Sequence, residues 1–302
     1  MIDRYRNYQP RRRRSAPAKK HRVGRYLVLV LIIGFFGGKY IWSSMKKPIN
    51  PTTSSASTKV KPKPKVTAEP LSSTTWTTLD QRINAVIAEN PTLDISVAVI
   101  DIKTSTRANY GIQNNFAGAS TTKVLTAAAY LHDVEAGKYT MTAEGKNQLR
   151  LMINRSDNTA WDTLNRKVGY NNLNIYAQSI GLSSFNWNGN IITASDQAIL
   201  LEKLYSRKLL SEENTALLLS YMQSTNNEDM IPTVTPAGAT LWHKYGQLED
   251  RLHDAGIIEF KQRPLAVVIY TKGGATDGSN YTPRTQLVAR LAQTIFDTMY
   301  AP

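Results

Sequence analysis

The chain of 302 residues contains no cysteine and four histidines. The missing thiols exclude disulfide bonds, thiolate metal sites and a cysteine nucleophile. No two histidines share a spacing that would place them together on a helix, which argues against a histidine metal site. The histidines also suggest no catalytic triad. The chemistry that remains open is that of hydroxyl, amine, amide and carboxylate groups, and we expect no thiolate or histidine metal site.

The C-terminal part of the chain lacks net charge, although the whole chain carries +14. Residues 1–70 hold 17 Lys and Arg against Asp3 and Glu69, whereas residues 71–302 hold 20 against 21 acidic residues. The basic charge therefore belongs to the N-terminal tail. Because a nearly neutral domain offers no surface that follows phosphates, we expect no nucleic-acid partner.

The N-terminal region has the pattern of a membrane anchor. An apolar run bordered by Tyr26, Tyr40 and Trp42 follows the basic residues, and its length of about 17 residues is the shortest that spans a bilayer. The basic side should stay in the cytoplasm, which places the C-terminal domain outside the cell membrane. A cleaved signal peptide is the alternative. The predicted organisation is a basic tail over 1–25, a transmembrane helix over 26–42, a Pro/Ser/Thr/Lys-rich linker over 43–75 and a folded domain over 76–302.

The hydrophobic pattern of the domain places strands near both ends and helices in the middle. We predict strands at 95–101 and 107–112, and three more at 241–245, 256–260 and 265–270. Helices are predicted at 76–90, 120–136, 144–154, 159–168, 173–180, 195–206, 212–223 and 283–299. This order predicts an α/β (α+β) fold in which one antiparallel sheet, built from both ends of the domain, is flanked by helices and receives an inserted all-helical lobe. We expect the domain to be monomeric.

Three short motifs follow one another along the domain. In Ser120-Thr-Thr-Lys123, helical spacing brings a hydroxyl and an amine to one face, where a desolvated lysine can act as a base. In Ser156-Asp-Asn158, a hydroxyl could pass a proton to a leaving amine and an amide could hold a substrate. In Lys244-Tyr-Gly246, a strand with glycine lets a peptide-like substrate lie close to the backbone. Each motif alone also fits an ordinary helix cap or a surface lysine.

Taken together, these motifs resemble those of the class A β-lactamases and the related serine penicillin-recognising proteins, which act on D-alanyl peptides. The neighbouring segments 116–123, 154–160, 193–196, 242–246 and 267–273 are also similar to segments of that family. The resemblance covers most of residues 76–300. It implies a β-lactamase/transpeptidase-like fold with the active site between the sheet and the helical lobe. It also implies a covalent acyl-enzyme route, for which we expect no metal and no cofactor.

The resemblance also implies a role for each matching residue. Ser120 would be the nucleophile and Lys123 its activator, while Ser156 would carry the proton to the leaving nitrogen. Asn158 would contact the amide of the substrate side chain, and Lys244 would help to bind the substrate carboxylate. Tyr245 and Gly246 would line the substrate-binding strand, and the backbone N–H groups of Ser120 and Gln247 would form the oxyanion hole.

Two departures from the family pattern affect the expected activity. Tyr245 stands where the family has threonine or serine, whose hydroxyl meets the substrate carboxylate; Arg251 and Arg284 are candidates to assist there. The family also places a deacylating glutamate on a loop after the second motif, but no Glu occurs between Asn158 and Asp196. The acids in that stretch are Asp162, one helical turn after Asn158, and Asp196, which should cap the next helix.

The sequence therefore predicts a serine acyl-enzyme hydrolase that acts on a β-lactam or on a D-alanyl peptide of peptidoglycan. Without the glutamate, the acyl-enzyme should be hydrolysed slowly, because general-base catalysis contributes roughly 10²–10⁴-fold. Two alternatives remain open. The domain could be a catalytically inactive module that binds peptidoglycan or a partner, or a broader esterase or amidase that uses the same Ser–Lys pair.

Overall fold

A computed structural model describes residues 69–274 and 281–301 of the chain. The predicted tail, the predicted transmembrane helix and most of the predicted linker lie outside these residues. Within them, no helix combines the length and the apolar character that crossing a membrane requires. The folded domain begins with a helix at Ser73, before the predicted boundary at residue 76.

Both ends of the domain contribute to one five-stranded antiparallel sheet. The strand order is β2-β1-β7-β6-β5, so the first long strand lies beside the last one. Two further short strands, β3 and β4, pair with each other. The strands are β1 (Asp94–Asp101), β2 (Thr106–Gly111), β3 (Phe116–Ala117), β4 (Ile191–Ile192), β5 (Thr240–Leu248), β6 (Arg251–Phe260) and β7 (Arg263–Lys272).

Eight α-helices complete the described part of the domain, and each lies close to its predicted position. They are α1 (Ser73–Ala88), α2 (Lys123–Glu135), α3 (Ala143–Asn154), α4 (Asn158–Val168), α5 (Tyr170–Ser179), α6 (Ala194–Tyr205), α7 (Glu212–Tyr221) and α8 (Tyr281–Met299). The sheet flanked by helices and the helical insertion between β2 and β5 confirm the predicted fold class.

Alternation along the strands divides the hydrophobic core into two layers. On β1, Val97 and Val99 pack in one cluster with α1 and α8, whereas Ala98 and Ile100 pack in the other with the helical lobe. Successive side chains of a strand point to opposite faces, so a run of apolar residues is buried on both sides. The sheet is therefore covered on both faces, and β5 remains as an edge strand next to the helical lobe.

Two helix starts differ from the predictions. Ser120 was expected in an α-helix over 120–136, but it lies in a 3₁₀ turn, Ala119–Thr122, that leads into α2. Asp196 was expected to cap the next helix, but the cap of α6 is Thr193, whose side chain accepts a hydrogen bond from the Asp196 N–H. The Asp196 carboxylate instead accepts hydrogen bonds from the Ser184 N–H and hydroxyl at 2.7 Å.

A buried histidine joins the edge strand to the preceding loop. His243 Nδ1 lies 2.9 Å from Asp254 Oδ1, and its Nε2 lies 3.3 Å from Glu228 Oε1. Burial alone would disfavour the imidazolium, but the two carboxylates outweigh it and raise the pKa of His243 to about 9. The imidazolium is therefore the form that holds the loop against β5.

The raised pKa of His243 predicts a pH-dependent contribution to stability. The contribution is complete below the ordinary pKa of 6.5 and is lost as the pH rises through about 9. We expect the difference in unfolding free energy between the natural chain and His243→Asn to shrink by about 3 kcal/mol across that range. Urea unfolding at several pH values measures it. The two proteins are compared at each pH because both contain buried lysines. The lowered pKa values of those lysines make stability rise with pH, and this effect cancels in the comparison.

A matched control for this measurement is His132→Asn. The side chain of His132 is 48% exposed, so its replacement removes a histidine that is not enclosed between buried carboxylates. A constant difference between the natural chain and His243→Asn from pH 6.5 to 9 would contradict the charged state assigned to His243.

Candidate active site

The predicted nucleophile lies in a strained turn at the start of α2. Ala119, which precedes Ser120, has φ +48°, in the left-handed region that non-glycine residues rarely adopt. Such a conformation costs about 1–3 kcal/mol and persists only where the surroundings hold it. Ser120 itself is half-buried. Strain beside an accessible hydroxyl is typical of a reactive position.

Hydrogen bonds from the α5–α6 connection hold this turn. The Asn190 side-chain N–H₂ donates to the Ala119 carbonyl at 2.7 Å, and the Gly118 N–H donates to the Asn190 carbonyl at 2.8 Å. Asn190 is buried, and its Oδ1 atom has no hydrogen-bond partner among the described residues. The connection thus stabilises the backbone that carries Ser120. No sequence pattern pointed to Asn190, since an asparagine after a glycine is ordinary loop composition.

The sheet holds the same turn from the other side. The Tyr270 hydroxyl lies 2.7 Å from Thr121 Oγ1, which itself donates to the Gly118 carbonyl. His253 Nδ1 accepts from the Thr271 N–H, so its Nε2–H donates to the Ala117 carbonyl at 3.0 Å. Burial lowers the pKa of His253 to about 4, which keeps the ring neutral. These contacts join residues distant in sequence, and no local pattern predicts them.

Lys123 is the buried amine of the site. Its Nζ donates to the Ser156 carbonyl at 2.7 Å, to Asn158 Oδ1 at 2.7 Å and to Ser156 Oγ at 3.3 Å. Its hydrogen bonds therefore go to the second motif rather than to Ser120. Burial lowers the pKa of Lys123 to about 7, against the opposing effect of the Asp157 charge. An amine that is partly deprotonated at neutral pH can accept a proton.

The second motif forms the start of α4. Asp157 is the helix cap and accepts a hydrogen bond from the Ala160 N–H at 2.7 Å. Ser156 has φ +55°, again in the left-handed region, and this conformation accompanies the contact of both its oxygens with Lys123. Asn158 is the first residue of the helix. The first and second motifs are thus brought together.

The third motif lies on the edge strand β5. Lys244 is fully buried, and its Nζ donates to the Tyr245 carbonyl at 2.9 Å. Burial and the nearby charge of Lys123 lower its pKa well below the usual range. Tyr245 packs against the core layer of α1 and α8, and its ring centroid lies 4.0 Å from Lys244 Nζ. The tyrosine ring therefore lies beside Lys244 and against the core layer of α1 and α8.

Strand geometry directs the backbone of Gln247 outward from the sheet. The His243 N–H bonds outside the sheet, to the Met222 carbonyl at 2.8 Å. Alternate residues of an antiparallel strand direct their N–H and C=O groups to the same side, so Tyr245 and the exposed Gln247 share this direction. This orientation suits the oxyanion-hole role expected for the Gln247 N–H.

Gly246 lets β5 approach the nucleophile. A Cβ atom at this position would lie 3.1 Å from the Ser120 nitrogen, from the Gly118 carbonyl oxygen and from the Ala119 Cβ. Such contacts are tighter than ordinary van der Waals packing, so a side chain would push the strand away from the turn. The glycine is therefore required by proximity rather than by backbone conformation.

Replacement of Gly246 by alanine should therefore slow Ser120 acylation by about 10–100-fold, because a small displacement of the strand disturbs the reacting geometry. The rate of adduct formation with a fluorescent penicillin measures this. Gly256→Ala is the matched control, since a Cβ there would also meet atoms at 3.1 Å, but around His243 and Trp242. Equal loss of acylation in both folded variants would contradict a specific role for Gly246.

Neighbouring residues bind part of the guanidinium group of each candidate arginine. Arg251 Nη1 lies 2.9 Å from Asp250 Oδ1 and 3.2 Å from Glu249 Oε2. Arg284 is buried and donates to Thr271 Oγ1 at 3.0 Å and to the Gly273 carbonyl. The Nε atoms of both arginines have no hydrogen-bond partner among the described residues. Their assistance in carboxylate binding stays a prediction. No three His, Asp or Glu side chains lie together as a metal site would need in the described part of the chain.

Comparison with known proteins identifies the family of the chain. Residues 78–146 and 144–299 match the model of the Beta-lactamase enzyme family. No curated protein matches the chain. Among solved structures, a mutant of PBP-A, in an acyl-enzyme complex with penicillin G, is 22% identical with a TM-score of 0.67, over 75% of this chain and 97% of that one.

Two β-lactamase structures are similar to the same extent. The enzyme from Chitinophaga pinensis is 21% identical with a TM-score of 0.66, over 73% of this chain and 99% of that one. The chromosome-encoded enzyme of Vibrio parahaemolyticus is 21% identical with a TM-score of 0.66, over 74% of this chain and 100% of that one. At these identities the likeness concerns the fold, whereas the family model covers most of the chain. The chain therefore belongs to the β-lactamase enzyme family.

Proposed function

We propose that the chain is a serine acyl-enzyme hydrolase that opens a β-lactam or cleaves a D-alanyl peptide amide, and that it hydrolyses its acyl-enzyme slowly. The observation that carries the proposal is the environment of Lys123. A buried amine with a pKa of about 7 lies one helical turn from Ser120 and is hydrogen-bonded to Ser156 and Asn158. A solvated lysine could not act as a base at neutral pH.

The proposed acylation step uses the amine of Lys123 and the hydroxyls of Ser120 and Ser156. Neutral Lys123 takes the proton of the Ser120 hydroxyl, and Oγ attacks the carbonyl carbon of the substrate. The N–H groups of Ser120 and Gln247 stabilise the oxyanion. The C–N bond then breaks, and the proton passes through Ser156 to the leaving nitrogen. The product is an ester on Ser120, with Lys123 neutral again.

Deacylation requires a water molecule and a base to activate it. The acid beside Lys123 is Asp157, whose carboxylate accepts the Ala160 N–H at the start of α4. Asp196 is bound to Ser184, and the stretch between Asn158 and Asp196 contains no glutamate. Loss of general-base assistance slows such a step by roughly 10²–10⁴-fold. The ester on Ser120 should therefore accumulate.

We also propose that residues 26–42 anchor the protein in the cell membrane with the folded domain outside the cytoplasm. The support is the apolar run itself, the basic tail before it and the interfacial aromatic residues at its ends. A substrate drawn from peptidoglycan would suit this placement. Protease added to intact cells and to lysed cells would test this location, since a domain outside the cytoplasm is digested in both samples.

The test of the activity uses the full-length protein in detergent and a fluorescent penicillin. We expect one covalent adduct per chain, located on the peptide that carries Ser120 and persisting long after unbound penicillin is removed. Turnover on the order of ten per second would overturn slow deacylation. No adduct at high dose would favour the alternative of a module that only binds peptidoglycan or a partner, which Tyr245 and the missing glutamate also favour.

A further inference from the structure

Three aromatic rings lie in a row beside the buried amine of the site. The ring centroid of Trp161 is 5.2 Å from Lys123 Nζ, and the ring of Trp187 meets it edge-on at 5.5 Å. Tyr170 stacks on Trp187 with centroids 4.6 Å apart and planes 10° from parallel. Tyr170 is 39% exposed. These three residues (Trp161, Trp187 and Tyr170), called here the aromatic row, therefore extend from Lys123 to the solvent.

Hydrogen bonds hold two rings of the aromatic row, and the ring of Trp187 packs between them. The Trp161 indole N–H donates to Thr126 Oγ1 at 3.0 Å, and the Tyr170 hydroxyl donates to Asp162 Oδ1 at 3.2 Å. The Trp187 backbone N–H donates to Asn174 Oδ1 at 2.8 Å. These contacts hold the rings before any ligand arrives, so binding would not require them to be ordered.

Trp187 also belongs to a short hairpin that is attached to the nucleophile turn. Asn186 and Ile191 exchange backbone hydrogen bonds at 2.9 and 2.8 Å across this hairpin. Its Asn190 donates to the Ala119 carbonyl, directly before Ser120. The backbone that carries Trp187 is therefore tied to the turn that carries Ser120.

Helix α4 places the row where a substrate would extend. Asn158 and Trp161 are three residues apart and so lie on the same helix face. Asn158 is the residue expected to contact the amide that joins a substrate to its side chain. A group attached beyond that amide would continue over the next helical turn, toward Trp161 and Trp187. At the rim, Asp162 is paired with Arg166 at 2.9 Å, which leaves little net charge there.

We propose that the aromatic row formed by Trp161, Trp187 and Tyr170 is the subsite for the acyl side chain of the substrate, and that it selects a planar apolar group such as a phenyl ring. This inference rests on the proposed acyl-enzyme function. A phenyl ring can pack edge-on or offset against the indole and phenol rings, whereas a methyl group gains little there. The row thus determines which substrates acylate Ser120 fastest.

The experiment compares two penicillins that share one nucleus and differ in the side-chain amide, phenylacetyl in one and acetyl in the other. With full-length protein in detergent, we expect the phenylacetyl compound to acylate Ser120 about tenfold faster. Trp187→Ala should bring the two rate constants within about twofold of each other, by slowing the phenylacetyl compound alone. Trp187→Phe should retain most of the preference.

Two further variants keep the result interpretable. Trp76→Ala removes a partly buried tryptophan on α1, on the opposite face of the sheet, and should leave the preference unchanged. Tyr170→Ala alters an exposed ring and so tests the row even if Trp187→Ala fails to fold. If both penicillins acylate Ser120 equally fast, or if the preference survives in Trp187→Ala and Tyr170→Ala, the subsite is wrong while the acyl-enzyme function stands. If neither compound acylates Ser120, both proposals are overturned.

Discussion

Replacement of Ser120 by alanine should abolish the covalent adduct with penicillin. In the proposed function the ester forms on the Ser120 hydroxyl oxygen, so its removal leaves no atom for the bond. We expect the acylation rate to fall by at least about 10³-fold, to the limit of detection. Intact-mass measurement after exposure to a fluorescent penicillin checks this directly.

The same variant should remain folded. No hydrogen bond of the Ser120 hydroxyl occurs within the described residues, and the side chain is half-buried, so its removal should change the unfolding free energy by less than about 1 kcal/mol. Ser220→Ala is the matched control, because Ser220 is an exposed serine on α7 whose hydroxyl donates to the Leu217 carbonyl. A penicillin adduct that forms equally in Ser120→Ala would show that another residue is the nucleophile.

Replacement of Lys123 by methionine should slow acylation by roughly 10²–10⁴-fold, because it removes the base of the proposed acylation step. The natural chain should also show a rate that rises with pH through about 7 and then levels, since the neutral amine is the active form. The methionine variant should lose this dependence. Acylation rates measured from pH 5 to 9 test both statements.

Lys123→Met also has an expected effect on stability. A lysine whose pKa is lowered to about 7 in the folded state opposes folding at low pH, and this opposition decreases as the pH rises from 7 toward 10.5. The methionine variant should therefore be stabilised relative to the natural chain most clearly below pH 7, less the cost of unpaired Ser156 and Asn158 oxygens.

The control for Lys123→Met is Lys167→Met on α4. The Lys167 ammonium lies 4.9 Å from the ring centroid of Tyr139 and 5.3 Å from that of Tyr130, away from the motif residues. Its removal should leave the acylation rate and its pH profile unchanged. A pH profile that persists in Lys123→Met would assign the base to another group, with the buried Lys244 as the next candidate.

The order of elements and the identity of the motif residues could be predicted from the sequence. The pattern of apolar residues along β1, and their helical spacing along α3 and α8, are local. Each pattern reflects which faces of that one element are buried. The spacing of Ser120 and Lys123 is local as well. The sequence missed the 3₁₀ turn at Ser120, because its geometry depends on Asn190 and Tyr270, which are distant in the chain.

The amino-acid sequence alone was enough to predict the fold class, since periodicity expresses local physical requirements. The family and the residues of the proposed chemistry were predicted from the resemblance of short motifs to those of known proteins. The folded structure was needed to show that Lys123 is buried against Ser156 and Asn158, that Arg251 and Arg284 bind neighbouring residues, and that three aromatic rings lie beside Lys123. The reason is that burial, pKa and hydrogen-bond partners arise from contacts between residues far apart in sequence, and no spacing along the chain records them.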